Sequence, residues 1–378
     1  MKFTCTQENL IQGLTMVSHV TGKNVNLPIL GNALLKTENG NLKLSSTNLE
    51  IAVSCLVRGK VDQEGEYSIP AKLLMDYVSL LPSGKVELTL TEEGLEIGSN
   101  GQETIIKGMP ANEFPLLPKL SKGEGYRLSA PELKLALGQV TFAASTSESR
   151  PELMGVACFF GIGDGSKEAI IAATDSYRLA ERKMSLTGGP NRESRTIVPA
   201  RSMIEISRIV SSYKDDVSEN TDVTWTFTEN QLVVTFGNVE LVTRLIEGTF
   251  PPYQDIIPKE FKTEAVVPRS ELQKAVRAAS LFSRQGLFDV HLAFDAGAGT
   301  CSVASADQGT GKTKTDVKGN VTGAANKATL NYRYVMDGLS AMQTENVRIV
   351  LIDDNNPILL LPESAGEAYR YLVMPIRQ

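Results

Sequence analysis

The chain has 378 residues, 42% of them hydrophobic and 22% charged, a balance that suits two or three packed domains and excludes a disordered or fibrous protein. Its formal charge of −6 excludes a simple basic nucleic-acid binder, so any contact with DNA has to use a local surface. Cys5, Cys55, Cys158 and Cys301 lie far apart in strand-like runs, which excludes a disulfide framework or a paired-cysteine metal site and predicts reduced, structural thiols.

An alternating run leads to Thr6, after which Leu10, Gly13, Leu14 and Val17 recur at the three-and-four spacing of one buried helix face. Gly22, Lys23 and Asn24 break that pattern, and two strand-like runs follow, joined at Asn39-Gly40, a dipeptide suited to a tight hairpin turn. Ile51, Val53, Cys55 and Val57 alternate as a half-buried strand does. Pro70 opens a second helix over 71–81 with Leu74, Tyr77, Val78 and Leu81 on one face, and Pro82 and Gly84 stop it. Glu93-Gly94 marks a further turn, and the three prolines between Met109 and Pro118 mark a linker, since they sustain neither a helix nor a central strand.

The order then repeats. In YRLSAPELKLALGQVTFAAS, at 126–145, Ser129 and Glu132 form a capping box over Pro131, and Leu133, Ala136, Leu137 and Val140 make the buried face. Strands turn at Asp164-Gly165, Pro199 opens a second helix with Met203, Ile206 and Val210 inward, and closing strands flank Glu229-Asn230. A second linker, 250–258, stands where the first one stood. The third round begins at Pro268, with Leu272, Ala275, Val276 and Ala279 on the helix face. Its second helix starts near Asn331 with Val335, Gly338, Leu339 and Met342 inward. Met374-Pro375 falls where Met109-Pro110 fell in the first round.

A period of about 125 to 135 residues is too long for a solenoid unit, so each repeat is expected to be a domain with its own core. The expected fold class is α+β, with domains at 1–118, 126–250 and 259–378 and linkers near 110–125 and 247–262. Each domain sets two helices on one face of antiparallel strands. A row of such units exposes an edge strand at each end, and a second copy joined end to end would cover both.

Lys72, Arg201 and Arg333 occupy one position, the first turn of the second helix, in all three repeats. The helix dipole disfavours a cation there, so matched cations suggest a shared surface that meets phosphates, against the plainer reading of solvated helix faces. Arg208 lies two turns beyond Arg201, while Arg269, Lys274, Arg277 and Arg284 crowd the third repeat's first helix. Such contacts would be salt-sensitive and blind to base sequence.

Two rival readings come from the same residues. DQGTGKT at 307–313 resembles a phosphate loop, but Ala306 stands where its first Gly belongs, and KTDVKGN beyond it lacks an apolar helix face, so a long strand connection is expected. His19 and His291 are the only histidines, in different repeats, and Asp353-Asp354 sits in a turn signal, so neither a metal, a cofactor nor catalysis is expected. A monomeric scaffold that binds peptides but not DNA is the second rival. No apolar run approaches the ~20 residues of a spanning helix and no cleavable leader is present, so a cytoplasmic protein without membrane contact is expected.

Along its whole length the chain resembles the bacterial DNA polymerase III beta subunit family, the replicative sliding clamps. The resemblance is carried by MKFT at 1–4, LPILGN at 27–32, ATDSYRLA at 173–180, IVPA at 197–200, EGTFPPY at 247–253, ENVRI at 345–349 and VMPIR at 373–377. It implies a head-to-tail homodimer of three-domain chains, a ring with helices inside and sheets outside. Duplex DNA passes through such a ring, and the replicative polymerase, the clamp loader and other motif-bearing proteins dock on it. It implies that Lys23, Asn24, Lys72, Arg150, Arg201, Arg208, Lys274, Arg277 and Arg333 face DNA. It also implies a partner-peptide pocket of Thr174, Ser176, Tyr177, Arg178 and Leu179 with Leu153, Pro251, Ile256 and the tail Leu372, Val373, Met374, Pro375, Ile376 and Arg377. Tyr177 stands where many members carry His, and Asp255 where some carry Arg. The residues themselves agree in one respect: Asp175 to Leu179 breaks the repeat, since the matching sites read Asn48-Leu49-Glu50 and Asp307-Gln308-Gly309. Apolar groups ringed by a few polar ones suit a short peptide with Leu or Phe anchors, although Leu179 and the tail would also serve simply to complete sheets.

Overall fold

The computed structural model describes residues 1–22, 27–117, 123–213, 222–363 and 368–377; Lys23, Asn24 and Pro118 lie outside them. The first repeat runs β1 (Lys2–Thr6), α1 (Gln7–Val17), β2 (Asn32–Glu38), β3 (Asn41–Thr47), β4 (Ile51–Val57), β5 (Lys60–Gln63), β6 (Glu66–Pro70), α2 (Ala71–Leu80), β7 (Lys85–Leu90), β8 (Leu95–Ser99) and β9 (Gln102–Ile106). The second runs β10 (Tyr126–Ser129), α3 (Ala130–Val140), β11 (Gly155–Ile162), β12 (Glu168–Thr174), β13 (Arg178–Gly188), β14 (Ser194–Pro199), α4 (Ala200–Ser212), β15 (Asp222–Phe227), β16 (Gln231–Phe236) and β17 (Val239–Arg244). The third runs β18 (Thr263–Pro268), α5 (Arg269–Ser280), β19 (Asp289–Asp295), β20 (Thr300–Asp307), β21 (Gly311–Lys318), β22 (Asn320–Gly323), β23 (Asn326–Asn331), α6 (Tyr332–Ala341), β24 (Asn346–Leu351), β25 (Ile358–Pro362) and β26 (Tyr369–Val373). The order is the same each time; β13 simply runs on through the stretch that β4 and β5, or β21 and β22, divide.

Local chemistry explains the helices. Thr6 Oγ1 accepts the Asn9 N–H at 3.2 Å and caps α1, while Asn331 caps α6 by accepting the Arg333 N–H at 2.9 Å. The periodic faces are buried, Leu10 and Leu14 in α1, Leu133 and Ala136 in α3, Leu272 and Val276 in α5. In the first repeat α1 packs on β3, β4 and α2, and α2 on β2 and β6. A Cβ on Gly13 would stand 2.5 Å from Val57 Cγ2, so only glycine lets α1 lie this close to β4. Asn39 and Gly40 both have positive φ, 49° and 75°, which turns β2 into β3 as the dipeptide predicts.

The chain forms two compact units, 1–134 with 186–191 and 201–245, and 135–185 with 192–200 and 246–378. The cut runs through the middle repeat because its two sheets belong to different neighbours. In the first unit an antiparallel sheet runs β6-β2-β3-β4-β17-β16-β15-β10, so β17 of the second repeat extends β4 of the first, from Ile51↔Thr243 to Cys55↔Val239. In the second unit a sheet of matching plan runs β14-β11-β12-β13-β26-β25-β24-β18-β22, and β26 extends β13 from Arg178↔Val373 to Arg182↔Tyr369. Each unit also holds one sheet that is not extended: β5-β1-β7-β8-β9 in the first, β21-β20-β19-β23 in the second. Among the described residues β9 and β21 are therefore edge strands, and by the repeat they occupy the places of β17 and β4.

Two sequence expectations change. DQGTGKT is a tight hairpin turn between β20 and β21 and not a long connection: Asp307 Oδ1 accepts the Gly309 and Thr310 N–H groups at 2.9 and 3.1 Å, and a strand follows where a phosphate loop needs a helix. The segment at Asp175 does not break the repeat in its backbone, as its geometry below makes clear.

Candidate functional site

The turn from β12 to β13 is built by two side chains. Thr174 Oγ1 donates to the Arg178 carbonyl at 2.6 Å and accepts the Ser176 N–H at 3.1 Å, while Asp175 Oδ1 accepts the N–H groups of Tyr177 and Arg178 at 2.9 and 3.0 Å. These bonds hold Ser176 at φ 78°. The turn from β3 to β4 has the same design: Thr47 bonds the Ile51 carbonyl and the Leu49 N–H, Asn48 accepts from Glu50 and Ile51, and Leu49 has φ 77°. The second repeat differs in what the turn carries, a serine, a tyrosine and an arginine.

Beside this turn lies a cavity of about 330 Å³ lined by Arg150, Leu153, Thr174, Ser176, Arg178, Pro251, Pro252, Tyr253, Asp255, Ile256, Leu372 and Met374. It gathers Leu153, Thr174, Ser176, Arg178, Pro251, Ile256, Leu372 and Met374 of the predicted pocket. Leu179 and Val373 are buried within the sheet, at 2% and 0% exposure. Tyr177 is 63% exposed, and its carbonyl accepts the Met374 N–H at 2.8 Å. Ile376 donates its N–H to the Thr329 carbonyl, Pro375 is half-buried and Arg377 is exposed. Beneath the cavity, Ala172, Leu179, Tyr253, Val350, Leu359 and Leu372 form an apolar cluster with Phe159, Phe250, Ile257, Leu361 and Met374 packed against it. This is a concave apolar surface with a few polar groups at its rim, suited to a short peptide that inserts apolar side chains.

The sequence reading missed Pro252 and Tyr253 as lining residues; Asp255, noted there only for standing where some family members carry Arg, also lines the cavity. Tyr253 sits on the 3-10 turn Tyr253–Ile256, with its ring between Phe159 and Phe250 and its hydroxyl donating to Glu181 Oε2 at 2.6 Å. Burial and the Glu181 carboxylate push the phenol far above its usual range. The EGTFPPY motif was the only signal in the sequence for this wall, and it does not reveal the Glu181 partner.

Arg178 is a hub. Its Nε donates to Asp175 Oδ2 at 2.9 Å, Nη1 to Asp337 Oδ2 at 2.5 Å and Nη2 to the Phe142 carbonyl at 2.8 Å, and the guanidinium lies over the Tyr334 ring at 4.7 Å. It thus ties a turn of the second repeat to α6 of the third. Nearby, the Phe142 and Tyr371 rings meet at 5.6 Å, Gln139 of α3 donates to the Ala341 carbonyl of α6, and a Cβ on Gly338 would stand 2.2 Å from the Tyr371 ring.

Among the described residues the predicted DNA-facing cations divide into those that are exposed and those held by hydrogen bonds within the protein. Lys72, Arg201 and Arg333 are each the second residue of α2, α4 and α6 and are exposed, as are Lys274 and Arg277 on α5. Arg333 stacks on the Phe288 ring at 3.6 Å. Arg208 is engaged inside the first unit: it donates to the Thr15 and Met16 carbonyls of α1 at 2.9 and 2.7 Å and pairs with Glu205. Arg150 lines the cavity and bonds Glu152 at 3.0 Å and Ser176 Oγ at 3.3 Å.

Among the described residues no group of three His, Cys, Asp or Glu is placed to hold a metal, and no helix is long and apolar enough to cross a membrane. Cys5, Cys55, Cys158 and Cys301 are buried free thiols, and burial pushes those of Cys5, Cys55 and Cys301 up to about 12.

Sequence models of the DNA polymerase III beta subunit match along the chain: its N-terminal domain at 1–118, its central domain at 127–252 and its C-terminal domain at 254–377. The chain is 28% identical over 395 residues to the beta sliding clamp of Synechocystis sp., covering 100% of this chain and 99% of that one. It is 28% identical over 387 residues to the beta sliding clamp of Staphylococcus aureus, with the same coverage. Its fold is similar to the crystal structure of the DNA polymerase sliding clamp from Bacillus subtilis, with TM-score 0.90 at 26% identity, 100% of this chain and 99% of that one covered. The DNA polymerase III beta subunit from Thermotoga maritima gives TM-score 0.90 at 25% identity and the same coverage.

Proposed function

The chain belongs to the DNA polymerase III beta subunit family and has its processivity-clamp function, and from that premise we propose that two copies close head to tail around duplex DNA. Its three clamp domains are taken as 1–118, 126–250 and 259–378. The observation that carries the ring is the plan of the joints. Twice within the chain the last strand of one repeat extends a sheet of the repeat before it, β17 onto β4 and β26 onto β13. That leaves β9 and β21 as the two halves of a third such joint, and a second copy supplies what each lacks. Their net charges are opposite in sign, Glu103 on β9 against Lys312, Lys314 and Lys318 on β21, where Asp316 pairs with Lys314. Leu281 follows Leu272 by the interval that separates Phe142 from Leu133, yet Phe142 packs on Tyr371 while Leu281 is 72% exposed; Ile105 of β9, at 43%, is its counterpart in need of cover.

Lys72, Arg201, Lys274, Arg277 and Arg333, with Lys23 and Asn24, are assigned to the DNA-facing surface; Arg150 and Arg208 are assigned a smaller share of it, because some of their donors serve Glu152 and Ser176, and the α1 carbonyls. A ring holds DNA by enclosure and needs only weak phosphate contacts, which reconciles a charge of −6 with a nucleic-acid partner. The cavity beside Thr174 receives apolar anchors from the replicative polymerase, the clamp loader and other partners, and the protein does no chemistry of its own, working in the cytoplasm. Sedimentation at micromolar concentration tests the closure: the expected mass is twice the 41.0 kDa of the chain, and Leu281→Asp should halve it. A single-chain mass for the unsubstituted protein would favour a monomeric peptide-binding scaffold.

A further inference from the structure

Both arginines of the cavity wall are already neutralised. Arg150 bonds Glu152 at 3.0 Å, and Arg178 faces two carboxylates, Asp175 at 2.9 Å and Asp337 at 2.5 Å. The remaining charged group of the lining is Asp255, exposed on the 3-10 turn Tyr253–Ile256 between two apolar wall residues, Tyr253 and Ile256. No ion-pair partner lies within 4.0 Å of its carboxylate among the described residues. The cavity and its immediate shell therefore carry an excess of negative charge concentrated beside the apolar floor. We propose that Asp255 selects partner peptides that place a Lys or Arg next to their apolar anchor, and disfavours those that place a carboxylate there. The reading rests on the cavity being the peptide pocket. Charge complementarity at a rim sets which partner is accepted more than how tightly the anchor is held.

The test uses the full-length protein and two synthetic nine-residue peptides with blocked ends, sharing a central Leu-Phe pair, one flanked on both sides by lysine and the other by glutamate. Fluorescence anisotropy should give the lysine peptide roughly three- to fivefold tighter binding at low salt, the size an exposed ion pair supports, with the gap closing at 1 M salt. Asp255→Lys should reverse the order. Glu92→Lys changes the overall charge by the same amount at a residue outside the cavity lining, and it should leave the preference in place. Equal affinities, or a preference that Glu92→Lys erases as fully as Asp255→Lys, would overturn the role of Asp255 while leaving the pocket intact. Failure of both peptides to bind, or binding that survives Leu153→Asp, would overturn the pocket reading itself and this inference with it.

Discussion

The guanidinium of Arg178 shows how one side chain is made to serve the whole site. Its three nitrogens reach Asp175, Asp337 and the Phe142 carbonyl, and its planar face meets an aromatic ring, so most of its capacity is used inside the protein. A peptide in the cavity therefore meets its edge and not a free charge. Arg178→Ala removes three hydrogen bonds and a ring contact of a side chain only 12% exposed and leaves Asp175 with one partner fewer. Thermal unfolding should report a loss of about 1–3 kcal/mol, discounted because Asp337 is half in solvent, and peptide binding should weaken in parallel. Arg178→Lys should not restore either, since an ammonium cannot reach three acceptors in one plane. An unfolding midpoint unchanged by the alanine substitution would contradict this reading.

The tail after β26 contributes an element with two separable duties. Strand β26 itself closes the sheet against β13, whereas Met374 to Gln378 adds the cavity residue Met374 and two backbone bonds, Met374 N–H to the Tyr177 carbonyl and Ile376 N–H to the Thr329 carbonyl. Deleting 374–378 should abolish binding of polymerase-derived peptides while the sedimenting mass stays that of the dimer; unchanged affinity would contradict the placement of the pocket. Elements such as α1, α3 and α5 were legible in the sequence because their determinants are local, a cap at Thr6 and apolar residues three and four apart. The wall of the cavity was legible only as a family motif. Tyr253 is fixed by Glu181, 72 positions away, and Arg178 by Asp337, 159 positions away, and no periodicity announces such partners. Charge patterning likewise does not reveal that Arg208, two turns from Arg201, donates to the carbonyls of Thr15 and Met16, 193 and 192 positions distant.

At the scale of the molecule, the same joint is made twice within the chain and left open at both ends, on β9 and on β21. Each completed joint combines strand pairing with a contact between helices, Arg208 to α1 in one and Gln139 to α6 in the other. A third joint between copies has to supply both, which is why an exposed Leu281 next to a lysine-bearing edge is read as half of an interface and not as surface noise. An enclosing ring also makes a prediction that no groove binder shares. The protein is loaded on nicked circular DNA with its loading factor and the circle is then cut at a single site, with retention measured by gel filtration at fixed salt. The ring account predicts that protein stays on the circle and leaves once the DNA has ends; retention that is equal on circular and linear DNA, and set by salt alone, would contradict it.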